Sequence, residues 1–534
     1  MTGAGREISA PASAANAISI DPRGKALAAV VFAGGISSIA IEVAASRLIG
    51  PFFGSSTFIW ANLIGLTLLY LTIGYFLGGR IADRHPSPAV LFTITTIAGA
   101  STALTPYLAR PILRLSLDAF DDVNVGAFYG SLLGTILLFA IPITFLGMVS
   151  PFAVRLRTRD VTDAGNTAGS LYALSTVGSI LGSLLPAFVL IPLFGSRDAF
   201  LVLSLAILIP STIGLIATGD RSRIVMAGAA LAVVIALPLV DDEGLIRPAD
   251  YRNSTVIHER ESQYNYIQVL QRGNETLLIL NEGHAIHSIY DPTTPLTRGP
   301  WDYFMIAPYF VPDMSPEEVD SLLMIGLAAG TTSHQFTEAY GPIEIDGVEI
   351  DPEIVEVGRE YFNMNEPNLD VIVADGRYYL EKTDNRYDVI GIDAYRQPYI
   401  PFHLTTKEFF EAVDNHLTDD GVAVVNAGRT REDFRLVEVI AATMDAVFDE
   451  VYLIDVEDFN NTMVVGVNGE SSVNAFFSNV EALPQGSILR SVGDASIQFG
   501  SIRRWDGAAM VFTDNRAPVE LVVDQIIFEE AQRR

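Results

Sequence analysis

The 534-residue chain contains no cysteine, which excludes disulfides, thiolate metal sites and cysteine nucleophiles together. Lysine is nearly missing too: among 34 Lys+Arg residues only Lys25, Lys382 and Lys407 are lysines. No segment has the spacing of metal ligands. No basic stripe suggests nucleic acid, and the formal net charge of −29 argues against it. Residues 1–25 lack the charged start and compact apolar core of a cleaved signal, and their Ala/Ser/Gly-rich composition predicts a disordered tail.

What is present is divided unevenly. Mean hydropathy is +0.33 with 18% charged residues, too apolar for a wholly soluble protein of this length. Residues 1–241 hold 14 Lys+Arg against 12 Asp+Glu, a net of +2, whereas residues 242–534 hold 20 against 51, a net of −31. A Lys-poor surface this acidic fits a medium of molar salt, where carboxylates keep the surface hydrated and repulsion is screened. The competing reading is an acidic face that steers cationic substrates. A Debye length of about 3 Å at 1 M salt removes long-range steering but leaves short-range binding of a cation in an acidic pocket.

Seven apolar stretches are expected to cross a bilayer, near 26–50, 58–78, 89–108, 127–148, 168–193, 199–218 and 224–240. Basic residues gather before the first (Arg6, Arg23, Lys25) and after the second (Arg80, Arg84), fourth (Arg155, Arg157, Arg159) and sixth (Arg221, Arg223), which makes those loops cytoplasmic. An odd count then places the carboxy-terminal half outside, unless one stretch is re-entrant. Glu42 is the one carboxylate well inside an apolar run, so it is a candidate functional group of the membrane domain; a structural hydrogen bond or ion pair is the alternative. Gly34-Gly35, Gly169, Gly178 and Gly182 suit close helix packing.

Residues 250–292 alternate in short runs (STVIHER, YNYIQVLQ, ETLLILN, HAIHSIY), the pattern of a small antiparallel β unit of two hairpins. Residues 293–534 then read as an α/β domain. An aromatic helix is expected around 301–310, followed by strands near 322–325, 343–349, 370–373, 388–393, 422–426, 450–454 and 462–467. Seven strands with the last two close in sequence match a methyltransferase-like, Rossmann-type sheet better than a dehydrogenase. The fold class is therefore a multi-spanning helical membrane domain of about seven spans, a β-hairpin unit and a methyltransferase-like domain.

Open α/β sheets bind ligands beyond the carboxyl ends of their strands. Gly326 and Gly330 bracket the first turn, Glu349 ends the second strand, Asp375-Gly376 ends the third and Asp393 the fourth. Glu349 is placed for ribose hydroxyls, Asp375 for an adenine amino group and Asp393 for the reacting atom. Any one of these acids could be a helix cap; four sites in register point to a ligand.

These segments resemble the spermidine synthase family of aminopropyltransferases, and in particular its membrane-fused prokaryotic, haloarchaeal-like members. The resemblance covers about 253–470. ESQYNYIQV (261–269) is similar to the family's Glu-Ser-x-Tyr-Gln-x-Ile element and VEIDPEIVEVGREYF (348–362) to its ribose-binding segment. IDAYRQPYIPFHLTTKEFF and TDNRAPVE, with IAIEVAASRLIGPFFGSS and PITFLGMVSPFAVRL in the apolar half, resemble the fused members. The resemblance implies decarboxylated S-adenosylmethionine as donor and no metal. It implies that Asn265 stands for a donor-contacting Gln, that Glu349 holds the ribose, and that Asp375 and Gly376 contact the adenine. It also implies that Asp393 takes the proton of an attacking polyamine such as putrescine or agmatine. An amine attacks only when unprotonated, so a carboxylate there has a chemical reason.

Three departures concern the acceptor half. Ala329 replaces the acid of the family's Gly-rich turn, Arg396 stands where a second acid follows the catalytic one, and the Tyr-His-Glu segment is replaced around Trp301. Tyr264, His284, His287, Asp302, Tyr303 and Tyr395 are candidates for rebuilding an amine pocket. Two alternatives remain: a methyltransferase using S-adenosylmethionine itself, and a polyamine transporter or sensor whose α/β domain binds the ligand. The expected partners are a polyamine, the lipid bilayer of a multi-pass cell-membrane protein and, from the dimers and tetramers of soluble relatives, a second copy of the chain.

Overall fold

A computed structural model of the chain describes residues 22–53, 57–118, 126–158, 160–240, 251–281, 285–395 and 399–533. The apolar half forms α1 (Pro22–Phe53), α2 (Thr57–Arg84), α3 (Pro88–Asp118), α4 (Gly126–Gly147), α5 (Val149–Arg157), α6 (Ala164–Leu185), α7 (Ile191–Thr218) and α8 (Arg221–Val240). Residues 22–25, expected in the tail, belong to α1. Among the described residues, six helical runs are long and apolar enough to cross a membrane. The fifth, Ala164–Thr218, accounts for the difference from seven: its 55 residues would extend about 80 Å as one helix, over twice a ~30 Å hydrocarbon core. It breaks at Gly195, whose φ of 77° and ψ of 167° are open only to glycine.

Close contacts fix the relative directions of α1, α3, α6 and α7. Gly178 and Gly182 of α6 lie so close to the backbone of α1 at Phe32 and Ile36 that a Cβ at either would collide, and Ser179 Oγ donates to Gly35 O at 3.1 Å. With 178 beside 32 and 182 beside 36, α6 runs parallel to α1. Arg23 at the start of α1 donates to Ala217 O at the end of α7 (3.1 Å), so α7 runs back against α1. The break at Gly195 is thus a hairpin, and it joins two of the expected stretches. Thr95–Ser211 (2.6 Å) and Ser204–Gly99 O (2.7 Å) set α3 antiparallel to α7.

One end of the bundle collects Ala26, Leu27, Ala82, Leu91, Phe152, Leu215 and Ala227 in a single core. Arg23, the Arg155–Asp83 pair (3.2 Å) and the start of α8 lie there. The other end buries Leu48, Ile49, Ile59, Leu113, Ile191 and Ala199. The β unit touches this second end, at the Gly195 hairpin.

That unit is a four-stranded antiparallel meander of β1 (Thr255–Glu261), β2 (Tyr266–Arg272), β3 (Glu275–Leu280) and β4 (Ile286–Tyr290). The aromatic segment after it is α9 (Pro300–Phe304) followed by a 3-10 turn, Ala307–Phe310, not one helix; Pro308 removes an amide a longer helix would need. The α/β domain alternates β5 (Ser321–Ile325), α10 (Thr331–Tyr340), β6 (Glu344–Glu349), α11 (Pro352–Tyr361), β7 (Leu369–Val373), α12 (Gly376–Leu380), β8 (Tyr387–Ile392), α13 (Lys407–Asn415), β9 (Leu417–Gly428) and α14 (Arg435–Asp445). β10 (Glu450–Asp455), β11 (Asn461–Val467) and β12 (Ile502–Arg504) complete an eight-stranded sheet in the order β12-β10-β11-β9-β8-β5-β6-β7. β7, β6, β5, β8 and β9 are parallel; β11 is antiparallel to β9, and β10 and β12 complete the antiparallel edge. That is the methyltransferase-like arrangement plus β12. Leu322 to Ile325 are buried on both faces of β5, as helices covering both sides require. The chain order reverses between β5 and β8, and their carboxyl ends open the crevice described next.

Candidate active site

The turn from β5 into α10 is shaped by its neighbours. Gly326 (φ 87°) lies so close to the end of β8 that a Cβ would sit 2.7 Å from Asp393 O. Gly330 (φ 87°) would place a Cβ 2.8 Å from Met364 Sδ. Between them Ala328 holds φ at 50°, an uncommon setting for alanine. Its amide donates to Glu349 at 2.9 Å, and the Ala329 amide donates to Ser288 Oγ at 3.0 Å. Ala329, at the position of the family's acidic group, is buried.

Glu349 ends β6 beside this turn. One oxygen accepts from Ala328 and the other from the Asp351 amide at 3.0 Å, and the Ile350 amide also acts on the group. Burial pushes the carboxyl up to about 7, against the pull of these amides. Asp351 caps α11 through the Glu353 amide (3.1 Å), and its second oxygen gathers Ser262 Oγ and Asn265 Nδ2 (2.9 Å). Asn281 donates to Asn265 Oδ1 at 2.8 Å. Asn265 therefore meets the ribose side of the crevice through Asp351.

At the end of β7, Asp375 caps α12 through the Tyr378 amide (3.1 Å), and its other oxygen meets His403 Nε2 at 2.9 Å. The His403 hydrogen bond holds this carboxyl below its ordinary range, although burial works the other way. Gly376 packs on Ile325, where a Cβ would clash. The next residue, Arg377, takes both oxygens of Asp514 at 2.6 Å each, and Thr406 Oγ1 donates to the same acid at 2.7 Å. Asp514 belongs to TDNRAPVE, so that late motif braces the helix that starts at Gly376.

Asp393 follows β8. Asn426 Nδ2 donates to it at 2.9 Å, and the Trp301 side chain is a second donor. Burial nonetheless pushes its carboxyl up to about 7. Asn426 is oriented by Asn461, whose Nδ2 donates to Asn426 Oδ1 at 2.8 Å. Tyr395 donates to Asn426 O and accepts from the Gly428 amide, both at 2.8 Å, and burial drives its phenol upward. A carboxyl poised near neutrality and held by two donors is equipped to accept a proton.

Other expected residues lie in different settings. Asp302 is buried and already accepts four hydrogen bonds: Thr297 N (3.0 Å), Thr297 Oγ1 (2.7 Å), Arg298 N (2.9 Å) and Gln335 Nε2 (2.6 Å). It ties down the loop before α9. Tyr303 is buried, and its hydroxyl accepts from the Glu457 amide at 3.3 Å; burial is the main force raising its phenol. His287 on β4 has a buried Nε2 with no hydrogen-bond partner among the described residues, and burial lowers the ring to about 4. Tyr264 is exposed on the β1–β2 connection. Glu42 is half-buried in α1. His284 and Arg396 lie outside the described residues. Among the described residues no cluster of three or more His, Asp or Glu could hold a metal ion. Asn426, Asn461, His403, Asp351 and Asp514 were not singled out from sequence. Asp351, His403 and Asp514 had a signal, as members of VEIDPEIVEVGREYF, IDAYRQPYIPFHLTTKEFF and TDNRAPVE; Asn426 and Asn461 had none.

Residues 309–475 match the model of the spermine/spermidine synthase domain. The chain is 30% identical over 298 residues to a probable polyamine aminopropyl transferase of Bifidobacterium longum (strain NCC 2705), covering 52% of this chain and 65% of that protein. It thus spans just under two thirds of that relative. It is 28% identical over 292 residues to a polyamine aminopropyltransferase of Vibrio vulnificus (strain CMCP6), covering 52% and 95%. A crystal structure of a probable spermidine synthase from Corynebacterium glutamicum ATCC 13032 aligns at a TM-score of 0.37 and 21% identity, over 48% of this chain and 98% of that one. The domain match falls within the crevice-bearing half of the chain. The α/β half of this chain carries a match to the spermine/spermidine synthase domain over residues 309–475 and is similar in sequence to polyamine aminopropyltransferases.

Proposed function

We propose that the protein is a membrane-held aminopropyltransferase that moves an aminopropyl group from decarboxylated S-adenosylmethionine to a polyamine such as putrescine or agmatine. The observation that carries this reading is the placement of Asp393, half-buried after β8 with its carboxyl pushed up to about 7 and held by Asn426, while Glu349 and Asp375 follow the carboxyl ends of β6 and β7 in the same parallel sheet. Glu349 would accept the ribose hydroxyls, Asp375 and Gly376 would meet the adenine, and Asn265 with Asp351 would close the side toward the β unit. The acceptor's nitrogen lone pair forms a C–N bond to the methylene beside the sulfonium. The C–S bond breaks, its electron pair stays on sulfur, and methylthioadenosine leaves. Asp393 takes the proton of the amine. Tyr303, Tyr395 and the Glu457–Asp458 turn stand nearest the acceptor in this reading.

The apolar helices would cross the bilayer, with the catalytic half on the side opposite the arginine-rich ends. The positive-inside rule makes that the outer side. The acidic, Lys-poor surface would serve in molar salt.

Full-length protein incubated with decarboxylated and with ordinary S-adenosylmethionine and a panel of amines tests the assignment. Methylthioadenosine formed only from the decarboxylated donor is the expected result; S-adenosylhomocysteine formed from the ordinary donor would replace it with methyl transfer.

A further inference from the structure

The membrane hairpin meets the soluble half at one polar contact whose position matters more than its size. Gly195 turns the chain so that Ser196 begins the long arm of α7. The Ser196 amide and its Oγ (2.7 Å) both donate to the carboxylate of Glu261, the last residue of β1. The first amide of a helix is a natural partner for a carboxylate. The guanidinium of Arg47, on α1, acts on the same group from the bundle side.

The next residue, Ser262, belongs to the donor side. It is buried, its hydroxyl donates to Asp351, and it accepts from the amides of Tyr264 (3.0 Å) and Asn265 (2.8 Å). Asp351 in turn gives its amide to Glu349. From Ser196 to Glu349 there are thus three side-chain contacts and one peptide bond, with no flexible segment between them. Adjacent Cα atoms are held ~3.8 Å apart, so a displacement at Glu261 bears directly on Ser262.

We propose that Ser196 and Glu261 are positioning residues for the donor site, so that the hairpin of the membrane domain sets the loop that carries Asn265 and, through Asp351, the carboxylate that receives the ribose. The membrane domain is then a structural part of the donor pocket as well as an anchor. The inference rests on the aminopropyl reading for the identity of the donor alone; the coupling is a property of the residues.

The test uses full-length protein in lipid nanodiscs. Ser196→Ala removes the hydroxyl donor and keeps the amide. The expected result is a rise of about tenfold in donor KM and in the Kd of methylthioadenosine, the worth of one hydrogen bond to a charged group. The value of kcat should stay within about twofold, since Asp393 is untouched. Amide exchange at residues 262–265 should accelerate, and Ser196→Thr should restore both readouts. Should Ser196→Ala fail to accumulate, Glu261→Gln reads the same contact from the soluble side. Unchanged exchange at 262–265 together with unchanged donor KM overturns the proposal, as does a loss confined to kcat. If unaltered protein binds no adenosyl compound while exchange at 262–265 still responds to Ser196, the coupling stands and the aminopropyl reading falls.

Discussion

Asn426→Leu separates the chemistry of Asp393 from its mere presence. Leucine nearly conserves the volume but removes the donor that lies 2.9 Å from the carboxylate, leaving Trp301 as its remaining donor. A hydrogen bond to a charged group is worth about 1.5–3 kcal/mol, which corresponds to about one to two pH units. Burial raises the carboxyl to about 7 with both donors in place, so the variant should titrate at about 8 to 9. The ionised fraction at pH 7 falls from about one half to between about one tenth and one hundredth, and kcat falls about five- to fiftyfold with it. By about pH 10 the two proteins should converge. The assay is release of methylthioadenosine at saturating donor from pH 6 to 10, with the same amine in both arms so that its own titration cancels. Saturation matters because Glu349 also titrates at about 7 and would otherwise enter through donor binding. A deficit that is constant across the pH range refutes the proton-accepting role, since it would report a misplaced group.

Asp393→Asn should abolish turnover yet stabilise the fold. A carboxyl raised from 3.8 to about 7 favours folding when protonated, so its contribution is lost as pH rises through about 7. The variant should melt higher than the unaltered protein at pH 8 and equally at pH 4, in thermal scans. Asp514→Asn removes the charge that holds Arg377 and should raise donor KM severalfold with little change in kcat, read by initial rates. Gly182→Val forces α6 away from Ile36 of α1 and should lower the yield of folded protein in detergent, whereas the same change at Gly169, which has open space around it, should not. Activity and Tm should both rise between 0.1 and 2 M KCl, as expected for screening of the soluble half's net −31; a fall would favour steering of the amine by the acidic surface.

The parallel strands were legible because each is a short, doubly buried apolar run: 322–325 was expected and Ser321–Ile325 is found. β12 was not, because its three residues, Ile-Arg-Arg, carry no apolar pattern and pair only through the β10 edge. The hairpin at Gly195 was visible as two stretches, but its reversal depends on a backbone setting that sequence does not display. At the site, acids that end strands could be read one by one because strand ends have a signature. Asn426 could not: it continues a buried apolar run, and its importance comes from Asp393 and Asn461 on neighbouring strands. His403 sits in a loop beside Asp375 for tertiary reasons alone. Asp302 shows the reverse limit, since its position near the Trp301 segment suggested an amine contact while its four hydrogen bonds go to the loop before α9 and to Gln335.

The brace between Arg377 and Asp514 also has a bearing on biosynthesis. The two residues lie 137 positions apart, and β8 to β12 all fall between them. As the chain is made from its amino terminus, every described strand of the eight-stranded sheet precedes the acid that fixes α12. The sheet can therefore form on a chain whose helix at Asp375 still lacks its brace, and the brace closes as one of the last contacts of the domain.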